Sequence, residues 1–321
     1  MNIKRAVSNQ ASIFNILKTA KKNNRLSHAY LFYGGKGTGK KEMAYALATL
    51  FYCPNGGCLD CPVCNTIIDG NHMNVNYIGI EDKKKSISKE QITDLQEEYS
   101  KTSFVDGVRV YIVDGIDTAT VQAQNSLLKF IEEPQNKTQT VGIFIANEVS
   151  NVLSTIQSRC ELVHFDSIPK EKIVSFLEED NINRLDAILL SELTNDTEEA
   201  KELYDMDYYH DTKNLFLELI GIDTKRNGVV FYVKNVNYFY SKPEALRMLL
   251  VWIIIFLEDV NNYTEAKDNL ILDGLCDKIE KYRNKNNNLR EKLEDILKLE
   301  RMLDSNISSK NVFFSLVDKF I

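Results

Sequence analysis

The stretch LFYGGKGTGKKEMAYALATLFYC, Leu31 to Cys53, decides the fold. A short apolar run of strand type enters a glycine-rich loop, and a helix-type run leaves it. Gly34, Gly39 and Lys40 stand at the defining places of the pattern G-x-x-x-x-G-K, with Gly37 and Thr38 between them. Glycines let successive backbone N–H groups point into one concavity, the helix N-terminus adds partial positive charge, and the lysine reaches a terminal phosphate. A P-loop is therefore expected here. One part departs from the pattern: where a hydroxyl would hold Mg²⁺, the chain has Lys41, a second ammonium beside the metal's place.

From about residue 29 to 165, β-like runs alternate with helix-like ones. AYLFY, VRVYIV, VGIFIA and ELVHF are rich in Val, Ile, Phe and Tyr, as strands covered on both faces are. The alternation predicts an α/β domain with a doubly wound parallel sheet over residues 1–165. From Pro169 the apolar residues recur at three and four, as in KEKIVSFLEED and LREKLEDILKLERML, which is helical period. A small helical domain over 166–207 and an all-α domain over 208–321 are expected. The segment NGVVFYVKNVNYFYSKP is open to a strand reading, and the apolar run Met248–Leu257 reads as a buried helix.

A net charge of −7 excludes nonspecific attraction of the whole surface to nucleic acid. That ten-residue run is about half of what a bilayer needs, and MNIKRAVSNQASIFNIL has no apolar core of signal-peptide type, so a cytoplasmic chain is expected, with no membrane partner. Of six cysteines, Cys53, Cys58, Cys61 and Cys64 fall within twelve residues at spacing C-x4-C-x2-C-x2-C. Four thiolates so spaced close a tetrahedral shell, which predicts one structural zinc per chain in a module over 53–64; His72 is an alternative ligand.

The second half of a nucleotide site needs an acid at the end of an apolar strand, often followed by a catalytic Glu. VRVYIVDGID supplies Asp114, but the next residue is Gly115, which offers no side chain to polarise a water. Asp117 is a candidate substitute for that acid, but it reads rather as a cap for the helix that follows it. Asn147, at the end of VGIFIAN, reads as a turn residue at a strand end, and Arg159 in SRCELVHF as a solvated charge or ion-pair partner.

Taken together, LSHAYLFYGGKGTGK, the four-cysteine insertion, ISKEQITDLQEEYS, VRVYIVDGID, AQNSLLKFIEEP and LSTIQSRCELVHF resemble the δ′ family of the bacterial replicative clamp loader, an AAA+ assembly of DNA polymerase III. The resemblance runs through about the first 200 residues. It implies an AAA+ domain, a small helical lid and a C-terminal collar in place of the three domains. Ser158, Arg159 and Cys160 match the family's S-R-C motif, whose arginine projects into a neighbouring subunit's ATP site. Asn147 falls at the sensor 1 position and Glu199 at that of the sensor 2 arginine. LLKFIEEP, Leu127 to Pro134, is a further hallmark of the family.

Lys41, Gly115 and Glu199 depart from the ATP-hydrolysing members in the same direction. The resemblance therefore implies a non-hydrolysing subunit, not an enzyme on its own, that lends Arg159 to its neighbour. γ/τ and δ subunits would be its partners, with the sliding clamp and primed DNA reached through the assembly. The competing reading is an ATP-hydrolysing subunit of γ/τ type. Passive retention of ATP by the loop stays open.

Overall fold

The computed structural model describes residues 3–81, 84, 86–100, 107–132, 140–263, 270–303 and 308–321. The chain divides into two compact units, Met1–Ile168 and Pro169–Ile321. Glu133 and Pro134 of the LLKFIEEP stretch lie outside the described residues.

In the first unit, α1 (Ile3–Asn9) and α2 (Ala11–Lys22) precede β1 (Ala29–Tyr33), and the glycine loop then leads into α3 (Lys40–Tyr52). The chain continues through α4 (Pro62–Ile68), β2 (Val75–Ile78), α5 (Lys89–Ser100), β3 (Arg109–Asp114), α6 (Val121–Glu132), β4 (Thr140–Ala146), α7 (Ser154–Gln157) and β5 (Glu161–His164). The five strands form one parallel sheet in the order β2-β3-β4-β1-β5. Strand period two divides each central strand between two cores. Tyr30, Phe32, Val110, Ile112, Ile143 and Ile145 pack with α3, while Leu31, Tyr111, Val113 and Phe144 pack with α5 and α6. This is the doubly wound parallel α/β architecture expected from the alternation of runs.

The order of the strands locates the site. The connection leaving β1 runs to the far edge at β2, whereas those leaving β2, β3 and β4 run the opposite way. Right-handed crossovers in opposite directions cover opposite faces of the sheet. A crevice must therefore open between the carboxyl ends of β1 and β4, which is where such sheets bind ligands. The P-loop follows β1 and Asn147 follows β4 at those ends, and Asp114 closes the neighbouring strand β3.

β2, the short run VNYI, was not anticipated as a strand, because Asn76 interrupts its apolar pattern. β5 is an edge strand and is mostly exposed, so it lacks the cover on both faces that its sequence suggests.

The second unit is helical: α8 (Lys170–Glu179), α9 (Arg184–Ser191), α10 (Thr197–Tyr204), α11 (Asp207–Leu219), α12 (Lys225–Ser241), α13 (Pro243–Asn262), α14 (Cys276–Lys285), α15 (Leu289–Leu303) and α16 (Ser309–Phe320). Trp252 of α13 is fully buried and donates its indole N–H to Leu189 O at 3.0 Å. Buried Asp186 accepts from the Tyr209 hydroxyl at 2.8 Å and from Lys213 at 2.9 Å, which gives its charge a partner and ties α9 to α11.

The NGVVFYVKNVNYFYSKP stretch is helix, not strand. Thr224 caps α12 by accepting from Asn227 N, and Gly228, Phe231 and Phe239 form its buried side. Met248–Leu257 lies within α13 and is almost wholly buried, as expected. Among the described residues no helix is long and apolar enough to cross a membrane.

Candidate functional site

The P-loop is held in place by its own backbone and by α1 and α2. Gly34 has φ 143°, and a Cβ there would meet Phe165 O at 2.3 Å, so only glycine fits between β1 and the chain leaving β5. The Gln10 side chain donates to Thr38 O at 3.3 Å and to Asp166 O at 2.9 Å. Thr38 is buried and its hydroxyl donates to Gly35 O.

Lys40, also buried, donates its ammonium to Gly34 O at 2.7 Å, Gly35 O at 2.6 Å and Thr38 Oγ1 at 3.3 Å. The lysine thus folds across the concavity of its own loop. Burial lowers its pKa to about 8, against the opposing pull of Asp114, Asp117 and Glu42.

Next to it, Lys41 places its ammonium 4.3 Å from the centroid of the Tyr77 ring, a cation–π contact. The Tyr77 hydroxyl donates to Asp114 Oδ2 at 2.9 Å, and its ring stacks on Tyr45. Burial raises the Asp114 carboxyl, an effect that the Tyr77 hydrogen bond and the two lysines oppose. An acid that elsewhere would support a metal is here hydrogen-bonded to a tyrosine whose ring carries the position-41 ammonium. Tyr77 has no motif around it and was not anticipated.

Gly115 follows Asp114 with φ 92°, in the left-handed region. Asp117 does not cap α6, as was expected. Its Oδ2 accepts from the backbone N–H groups of Asn147 and Glu148, both at 3.0 Å, while Thr120 Oγ1 accepts from Ala123 N in the first turn of α6. The physical reason is sheet adjacency: the turn after β3 lies beside the end of β4, whose first free amides need an acceptor. The other oxygen, Asp117 Oδ1, is buried with no hydrogen-bond partner among the described residues. The Asn147 side chain is exposed. Glu199 of α10 accepts from Thr194 Oγ1 at 2.6 Å.

The S-R-C residues follow α7. Cys160 turns inward against the core, and burial pushes its thiol up to about 12. Arg159 turns outward, about one-third exposed. Its Nε donates to Glu132 Oε1 at 2.5 Å, its Nη2 contacts the same oxygen, and its Nη1 donates to Thr155 O at 2.9 Å and Ser158 Oγ at 3.3 Å. Glu132, at the end of α6, was not singled out as its partner.

The cysteines fall at the joint between α3 and α4. Cys53 ends α3, Cys61 precedes α4 and Cys64 lies within it. All four sulfurs lie within 4.8 Å of one another, and the closest pairs are 3.6, 3.8 and 3.9 Å apart. A tetrahedron with metal–sulfur bonds of about 2.3 Å has edges of about 3.8 Å, so the cluster has the dimensions to hold one metal ion. His72 stands outside it: Nδ1 accepts from Asn74 N, and the ring packs on Tyr52.

The family described as DNA polymerase III, delta subunit, matches residues 9–169. The chain is 31% identical over 316 residues to DNA polymerase III subunit delta′ of Bacillus subtilis, covering 96% of this chain and 95% of that one. It is 30% identical over 172 residues to subunit tau of the same organism, covering 52% of this chain and 30% of that one. A gamma subunit-related protein of Thermotoga maritima aligns structurally over 95% of this chain and 98% of its own, with a TM-score of 0.45 and 17% identity. The chain belongs to the δ′ family of DNA polymerase III clamp-loader subunits.

Proposed function

We propose that this chain is a non-hydrolysing member of the clamp-loader ring and supplies Arg159 to the ATP site of a neighbouring subunit. The observation that carries the reading is the split within S-R-C: Cys160 packs against the core, and the adjacent Arg159 is presented at the surface just after the short helix α7. An arginine brought against a transferring phosphoryl group accelerates NTP hydrolysis by about 10³ to 10⁵.

Its own site supports the passive role. Lys41 brings an ammonium where a metal ligand is needed, Asp114 is bonded to Tyr77, and Gly115 offers no base. Losing the metal ligand and the base together leaves little route to hydrolysis. The residues around the loop are Gly34, Gly37, Thr38, Gly39, Lys40, Lys41, Asp114 and Asn147. Lys40 spends its donors on its own loop, so holding a phosphate group requires the ammonium to leave Gly34 O and Gly35 O first.

The metal is zinc, one per chain, held by Cys53, Cys58, Cys61 and Cys64. Residues 166–207 serve as the lid and 208–321 as the collar through which the chain joins γ/τ and δ subunits in the cytoplasm. Sliding clamp and primed DNA are engaged through that assembly. The test is Arg159→Ala in a loader reconstituted with the partner subunits. DNA-stimulated ATP turnover should collapse while the ring stays assembled by sedimentation; unchanged turnover would refute the role.

A further inference from the structure

We propose that Glu132 is a positioning residue for Arg159: its carboxylate holds the guanidinium in the pose from which it reaches the neighbour's phosphate. The inference rests on the reading of Arg159 as the residue lent to a neighbouring site, and it assigns a task to a residue of the LLKFIEEP stretch.

Glu132 is the last described residue of α6 and stands two positions before Pro134, where the sequence stops the helix. A carboxylate at a helix C-terminus faces the negative end of the helix dipole, so helix formation alone disfavours it there. What the position offers is Arg159. Nε and Nη2 both meet Oε1 of Glu132, so the carboxylate takes one edge of the guanidinium, while Thr155 O and Ser158 Oγ take Nη1. Acceptors at two edges of the guanidinium fix a side chain that otherwise has several soft torsions.

The pair is not needed to hold α6 and α7 together, because other contacts do that. Gln124 of α6 donates to Asn151 O at 2.9 Å and accepts from Leu153 N at 2.8 Å. Gln157 of α7 donates to Val149 O at 3.0 Å and Val152 O at 2.8 Å. Leu127, Phe130 and Ile131 of α6 and Ile156 of α7 are buried in one core. With the scaffold fixed from below, an ion pair that is 37% and 46% exposed at its two ends adds little to stability. Its consequence is the direction of the guanidinium, and small misplacements of a group at a reacting centre are costly in rate.

The test is a double-mutant cycle in the reconstituted loader, using Glu132→Ala, Glu132→Gln, Arg159→Ala and the Glu132→Ala/Arg159→Ala pair. DNA-stimulated turnover and the KM for ATP are both read. Glu132→Ala should lower kcat about tenfold with little change in KM, the scale expected when an arginine must find its pose unaided. Glu132→Gln, which keeps an acceptor oxygen in place, should recover part of the loss. In the Arg159→Ala background, removal of Glu132 should have no further effect.

An equal loss on removing Glu132 whether or not Arg159 is present would overturn the proposal and place Glu132's role elsewhere. A rise in turnover for Glu132→Ala would also overturn it, since the carboxylate would then be withholding the arginine. If Arg159→Ala lowers turnover while the Glu132 variants do not, the positioning role fails and the reading of Arg159 stands. If Arg159→Ala itself has no effect, both fail together.

Discussion

Gly115→Glu places the missing acid back after Asp114, and the structure predicts that it lowers stability without creating an ATPase. Gly115 has φ 92°, and a Cβ there would lie 3.2 Å from Ile80 Cδ1. Holding an L-residue in the left-handed region costs about 1–2 kcal/mol. Ile80 is partly exposed and can yield, so the steric contact adds little to that figure. For a unit of 150–250 residues each kcal/mol moves Tm by about 2–4 °C, which gives a fall of roughly 2–8 °C. Gly115→Ala carries the same backbone cost without the carboxylate and should fall by a similar amount. Turnover should stay at background in both, because Lys41 and the Tyr77–Asp114 hydrogen bond remain. Calorimetry and a coupled ATPase assay check the two halves. An undiminished Tm, or turnover appearing with Glu but not Ala, would refute the reasoning.

Two further outcomes follow from the same geometry. Protein purified without chelator should carry one zinc per chain by elemental analysis, with four sulfurs at about 2.3 Å by X-ray absorption, and finding none would remove the metal from the account. Burial lowers the Lys40 pKa to about 8 from an ordinary 10.5, so across that window the unfolded chain holds a proton that the folded chain has shed. Stability should therefore rise with pH between these values and lose that component in Lys40→Met, as followed by urea unfolding; equal pH slopes for the two proteins would contradict it.

The parts of the fold legible in the sequence were those where one local rule dominates. The P-loop declares itself by glycine spacing between a strand and a helix, and β1, β3 and β4 by near-continuous apolar runs. α12 was open to a strand reading because Val, Tyr and Phe favour strands. The Thr224 cap and the buried side at Gly228, Phe231 and Phe239 prevail over that preference, so tertiary packing overrides propensity.

Within the site, the residues singled out from the sequence are those a motif carries, and residues whose surroundings depend on neighbours across the sheet are not among them. Asp117 sits in sequence before α6 but in space beside the end of β4, and only the parallel pairing of β3 with β4 reveals the amides it serves. Tyr77 meets Lys41 and Asp114 from β2, a strand too short and too interrupted to be read. The Glu132–Arg159 pair spans 27 positions, and nothing in its spacing signals it. A useful signal was available in one case: an acid at the end of a helix is misplaced by the dipole rule and therefore calls for a cationic partner.

The central claim is that the cradle persists without the engine, and Mg-ATP turnover by the purified chain tests it most directly. The measurement is made with and without primed DNA, beside Lys40→Ala as the control. The account predicts no turnover above that control in either condition. Turnover that the Lys40 change abolishes would contradict it and make this chain a motor subunit of the ring.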